Sequence, residues 1–161
     1  MRWRFWENSD LDWILATARN MFNESEWKDE LEYDTEKIKN YFFSAISNPN
    51  IFSIVSLDES EKPTGFLTGM LLQYNFSDAT YAREMDLYVL PSKRGGMAAI
   101  QMMKKFIEWA KGKGAKEVYF EPSRGVKNNF DAMAKRLDME NISTVYRNCL
   151  LYTSDAADDL L

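Results

Sequence analysis

The chain has 161 residues, 45% of them hydrophobic and 28% charged, with a formal net charge of −5, one cysteine and no histidine. That length suits one domain with a real core, and the acidic balance argues against non-specific binding to nucleic acid or to an anionic membrane. The missing histidine excludes Ser-His-Asp and Cys-His catalysis and most zinc sites. A lone cysteine excludes an internal disulfide, so the chain reads as cytoplasmic.

No apolar run approaches the roughly 20 residues of a membrane span, and "MRWRFWENSD" lacks the apolar core of a secretory signal. Trp3 and Phe5 alternate with Arg2 and Arg4, which predicts a short, half-buried strand. Ser9 is placed to cap a helix whose stripe is Leu11, Ile14, Leu15, Ala18, Met21 and Phe22. The polar stretch "NESEWKDELEYD" then puts Glu24, Glu26, Asp29 and Glu30 in a loop. Asp34 or Thr35 caps a second helix with the stripe Ile38, Tyr41, Phe42 and Ala45, and Asn48-Pro49 ends it.

The period next switches to that of strands, at residues 50–58, 64–76 and 79–90. Gly65 and Gly69 in the second of these mark a bulge or a close backbone approach. The third alternates: Tyr81, Arg83, Met85, Leu87 and Val89 on one face, Ala82, Glu84, Asp86 and Tyr88 on the other. A helix follows with the stripe Ile100, Met103, Phe106, Ile107 and Ala110, stopped by Gly112 and Gly114. A strand at 116–122, a short helix at 128–137 and a strand at 143–150 complete the order β-α-α-β-β-β-α-β-α-β. The expected fold is α/β, a single domain over residues 1–150 with a mixed, mostly antiparallel central sheet and helices on both faces.

Between strand and helix lies "PSKRGG". Amides that open a helix lack intrahelical partners and carry partial positive charge. Glycine admits a bulky anion to the backbone, and Lys93 and Arg94 add formal charge. From local sequence alone, Gly95-Gly96 serve an anion site or a tight turn equally well.

In this context "DLYVLPSKRGGMAA" resembles the acyl-CoA signature of the GNAT family of N-acetyltransferases, with Val89, Pro91, Arg94 and Ala99 matching directly. The family's central glycine falls on Met97, or on Gly96 if the loop is one residue shorter. The resemblance extends over residues 1–150 and implies acetyl-CoA as co-substrate, with no metal. It implies that amides of Arg94, Gly95, Gly96, Met97, Ala98 and Ala99, with the Arg94 guanidinium, hold the diphosphate. It further implies that the backbones of Leu87 and Val89 pair with the pantetheine arm, where the sheet splays before "KEVYFEP". Asn128 or Asn129 is expected on the pantetheine or adenosine side, although helix capping is the more usual duty for one of them. The tyrosine that protonates the thiolate in many relatives falls on Ala134, and Asp138-Met139 replace the usual Gly-Phe; Tyr146 is the alternative acid.

Attack by an amine needs a base, because an alkylammonium has a pKa near 10.4. Glu84 and Asp86 share a strand face, and a partly buried carboxylate pair raises at least one pKa. Glu84 is the preferred base and Asp86 its substitute or the anchor of a cationic acceptor; a solvated polar face is the plainer reading. The expected activity is acetyl transfer from acetyl-CoA to a primary amine by direct attack in a ternary complex. The acceptor is a small molecule or a protein lysine or N-terminus; neither nucleic acid nor membrane is expected as a partner, and a homodimer stays open. The rival is a non-catalytic acyl-CoA-binding module. The tail, residues 151–161 within "CLLYTSDAADDLL", resembles translated sequencing-adapter read-through and is expected to be disordered; a natural acidic terminus is the other reading.

Overall fold

The computed structural model describes residues 2–121 and 130–143. In chain order the elements are β1 (Arg2–Phe5), α1 (Leu11–Glu24), α2 (Thr35–Ser47), β2 (Ile51–Leu57), β3 (Pro63–Gln73), β4 (Thr80–Val89), α3 (Ala98–Gly112), β5 (Val118–Tyr119) and α4 (Phe130–Arg136). The five strands form one sheet in sequence order, antiparallel except for the parallel β4–β5 pair. Among the described residues no helix is long and apolar enough to cross a membrane. The strand expected at 143–150 lies outside the described residues beyond Ser143.

Alternation along β2 and β3 divides the core into two layers. Phe52, Ile54 and Leu67 meet Met102, Met103 and Phe106 of α3 on one face. Val55, Leu57 and Phe66 meet Ile14 and Ala18 of α1 and Phe42 and Ala45 of α2 on the other. On α3 the buried stripe includes Met102, whereas Ile107 is only partly covered. The apolar face is wide enough that Met102, one position round the helix, points into the sheet.

Three expectations are corrected. Ser9 does not cap α1: a 3-10 turn at Asn8–Asp10 intervenes, and the Asp10 carboxylate accepts the Glu7 amide (2.9 Å) and pairs with Arg4 (2.5 Å). Trp3 and Phe5 are exposed on β1, an edge strand, where Lys105 of α3 lies over the Trp3 ring and Phe52 meets Phe5, and Trp6 is the residue that enters the core. Strand β3 ends at Gln73 rather than at Phe76, where the chain turns. The Asp34 cap is as expected, accepting the Lys37 amide at 2.9 Å.

The departure that positions the site is in β4. Thr68 pairs with Asp86 but Gly69 with Glu84, so Met85 is an extra residue, a bulge. The expected clean alternation is broken there. Ala82 packs with Leu87 and Val89 on the α3 face, and Tyr88 lies on the α1–α2 face. Gly69 sits opposite the bulge, where a Cβ would come within 2.4 Å of the Phe106 ring. The absent side chain is what lets α3 close on the sheet at this point. Gly65 is tighter against main chain, its Cβ falling 2.6 Å from the Tyr88 carbonyl oxygen.

Candidate functional site

The bulge decides which way the backbone of β4 points. Before it, the Thr80 carbonyl and the Ala82 amide bond to residues 116 and 117 beside β5. After it, the Leu90 amide goes to Thr64 in β3, so by alternation Leu87 and Val89 turn away from β3. On that side β5 pairs only with Ala82 and Arg83. From Glu84 to Val89, then, the outer edge of β4 has no strand partner among the described residues. Into this splay opens a cavity of about 420 Å³, bounded by the end of α1, the start of α3, Phe120 and α4. An extended ligand arm can pair with such an edge as an added strand.

The loop from β4 to α3 forms the end wall. Pro91–Lys93 make a 3-10 turn, and Gly95 has φ +82, which a side chain would strain. Met97 is the residue before α3, with φ −89 and a half-exposed side chain, so nothing in its backbone calls for glycine. A Cβ on Gly96 would meet only the Lys93 carbonyl, at 3.8 Å. The Arg94 amide donates to Pro91 (3.3 Å), so it leaves the expected set of free donors. The amides of Gly95, Gly96, Met97, Ala98, Ala99 and Ile100 reach no acceptor among the described residues, and all of these residues except Met97 line the cavity. Six successive donors at the positive end of a 15-residue helix suit an anion.

Arg94 lines the cavity, but its guanidinium is already engaged. Nε donates to the Val89 carbonyl (2.8 Å), Nη2 donates to Glu24 (2.6 Å), and the group lies over the Tyr88 ring, 5.0 Å from its centroid. The Tyr88 hydroxyl donates to the other oxygen of Glu24. Burial and that hydrogen bond push the phenol up to about 12. Glu24 is thus the last residue of α1, clamped to the strand-to-helix loop, and not a free acidic residue in a loop. The Val89 carbonyl, expected for the pantetheine arm, is the one that Arg94 takes.

Glu84 and Asp86 differ more than a shared strand face would allow. Glu84 lines the cavity, is 8% exposed, and has no hydrogen bond from a described residue. Burial first, and the nearby Asp86 charge second, push its carboxyl up to about 8. Asp86 is held on the α1–α2 side, accepting from Thr68 Oγ1 (2.7 Å) and Tyr41 Oη (3.3 Å). Burial raises its pKa as well, with both hydrogen bonds opposing. Phe42, next to Tyr41 on the stripe of α2, is core. Tyr33 hydroxyl, on the same side, is buried without a partner among the described residues.

Asn128 and Tyr146 lie outside the described residues. Ala134 is on α4, and Asp138, where the family has glycine, takes φ +55. Sequence reasoning left out the Glu24 clamp on Arg94, Thr68, and Arg136, whose side chain lines the cavity from the last turn of α4. A cationic position on a helix flanking the expected gap is the one signal that pointed to Arg136.

Comparison with known proteins gives a consistent outcome. The model of the acetyltransferase (GNAT) family matches residues 13–134. Similar solved structures include a putative acetyltransferase from Agrobacterium tumefaciens, 17% identical, TM-score 0.71, covering 92% of this chain and 99% of that one. A predicted acetyltransferase with acetyl-CoA from Clostridium acetobutylicum is 13% identical, TM-score 0.71, covering 96% and 99%. An aminoglycoside acetyltransferase from an uncultured soil sample, in complex with sisomicin, is 19% identical, TM-score 0.68, covering 92% and 95%. No curated protein sequence matches the chain.

Proposed function

Because the chain belongs to the GNAT acetyltransferase family, we propose that it moves an acetyl group from acetyl-CoA to a primary amine by direct attack within a ternary complex. The observation that carries this reading is the run of six unpartnered amides, Gly95 to Ile100, beside an open strand edge. Acetyl-CoA would be held there, its diphosphate on those amides and its pantetheine arm along Leu87. When bound it supplies the acetyl group as a thioester. Leu87, Phe120, Phe130 and Met133 give the cavity its apolar wall.

Glu84 is the proposed base. A carboxylate of pKa about 8 is a far closer match to an alkylammonium than one at its ordinary value, so proton transfer to its Oε atoms is less uphill. Asp86, fixed by Thr68 and Tyr41, contributes to the raised pKa of Glu84 and is placed to receive a cationic acceptor. A fold neighbour that acetylates aminoglycosides puts polyamino sugars in the acceptor panel, alongside polyamines, amino acids and lysine peptides.

The test is thiol release from acetyl-CoA over that panel, with coenzyme A binding followed by calorimetry. Release with at least one amine is the expected result. Binding of coenzyme A without release on any acceptor would favour the non-catalytic module, a reading that Ala134 at the family's tyrosine position supports. No heat with coenzyme A would end both.

A further inference from the structure

Among the described residues three cations line the cavity at its loop end, and they are not equally available. Arg94 spends its guanidinium on Glu24, the Val89 carbonyl and the Tyr88 ring. Lys93 is drawn toward Asp58, at 3.9 Å. Arg136 makes one contact among the described residues, from Nη1 to the Met97 sulfur at 3.9 Å. Thioether sulfur is a weak acceptor, so the charge of Arg136 is not neutralised there. Met97 is also the residue just before α3, so the guanidinium is held beside the unpartnered amides.

We propose that Arg136, rather than Arg94, supplies the side-chain charge that grips the cofactor's diphosphate, with Arg94 serving as a brace between α1 and the loop. This rests on the cofactor reading above. Drawing Arg94 to the ligand would strip Glu24 of its ion pair and the Val89 carbonyl of its donor. Arg136 gives up only a sulfur contact. A guanidinium suits the task, since its planar fork bonds two phosphate oxygens at once.

Calorimetric titration of Arg136→Ala, Arg136→Lys and Arg94→Ala with coenzyme A, dephospho-coenzyme A and S-acetylpantetheine tests the assignment. Arg136→Ala should weaken both phosphate-containing ligands by about tenfold or more, as expected for a lost charge-assisted contact. It should also reduce the salt dependence of binding, leave S-acetylpantetheine affinity unchanged and leave Tm unchanged. Arg136→Lys should recover part of the loss, and Arg94→Ala should lower Tm more than it lowers affinity. A loss for coenzyme A but not for its dephospho form would move Arg136 to the 3′-phosphate and overturn the diphosphate assignment. Unchanged affinity in Arg136→Ala, or a selective loss in Arg94→Ala, would overturn it outright. A wild-type protein that binds none of the three would instead overturn the cofactor reading on which it stands.

Discussion

The two ends of the cavity are built from different materials. At the loop end the donors are main-chain amides, and their direction follows from one positive-φ glycine and the start of α3. At the other end the proposed chemistry rests on the side chains of Glu84, Asp86, Thr68 and Tyr41, from three elements, brought together by a bulge. A backbone site tolerates many sequences as long as the chain path holds. A side-chain site depends on each member, and the cost of an error is paid in the protonation of a buried acid. Substitutions should therefore separate the two ends by kind of effect: chemistry at one, affinity and fold at the other.

The sharpest contrast is expected from Glu84→Gln, which keeps the shape and removes the proposed base. Loss of general base catalysis should lower kcat/KM by about 10²–10⁴-fold while coenzyme A affinity holds. Steady-state kinetics alongside calorimetry reads both, and a parallel fall in affinity would blur the division. Next in size, Gly65→Ala forces a methyl group against the Tyr88 carbonyl and should cost about 2–3 kcal/mol in urea unfolding. A near-neutral result would mean that β4 shifts freely, against the idea that its path fixes the site.

The third is a pH test. The folded-state pKa of Glu84 lies above its unfolded value, so the folded protein binds the extra proton between about 4.5 and about 8. Its stabilising contribution is full below that window and declines across it as pH rises, by up to about 1.4 kcal/mol per pH unit. Wild-type stability should fall relative to Glu84→Gln from pH 5 to pH 8, and kcat/KM should rise with an apparent pKa near 8. Parallel stability curves would remove Glu84's special environment. The smallest effect is Gly95→Ala, about 1–2 kcal/mol from the φ +82 backbone alone, since no atom lies within 4 Å of the added methyl. Chemical denaturation of this variant tests whether the loop's conformation is set by backbone strain alone.

The sequence made the loop end readable for the same reason that it is robust. Pro91, the glycine pair and the apolar stripe of α3 are local signals, each with a short-range cause. So were the Asp34 cap and the two helices before the sheet. The other end was only half readable. Glu84 and Asp86 were visible as a pair, but alternation counts residues and cannot see that Met85 is left unpaired, so their separation into a cavity carboxyl and a hydrogen-bonded one was hidden. Contacts between distant parts of the chain left no local mark: Glu24 meets Arg94 across 70 positions, and Tyr41 meets Asp86 across 45. The roles given to Asn128 and Tyr146 rest on residues outside those described.

Met85 itself has a half-exposed side chain and no partner across the ladder. What matters there is that the strand is one residue longer than its neighbour, not which residue supplies the length. Such a position should accept nearly any replacement, and excising it would leave Glu84 opposite Gly69 and Asp86 opposite Thr68 as direct neighbours, straightening the strand where it now bends. In a mutational scan it would stand out as silent to exchange, with omission felt at the splayed edge of β4 rather than in the pairing of the sheet.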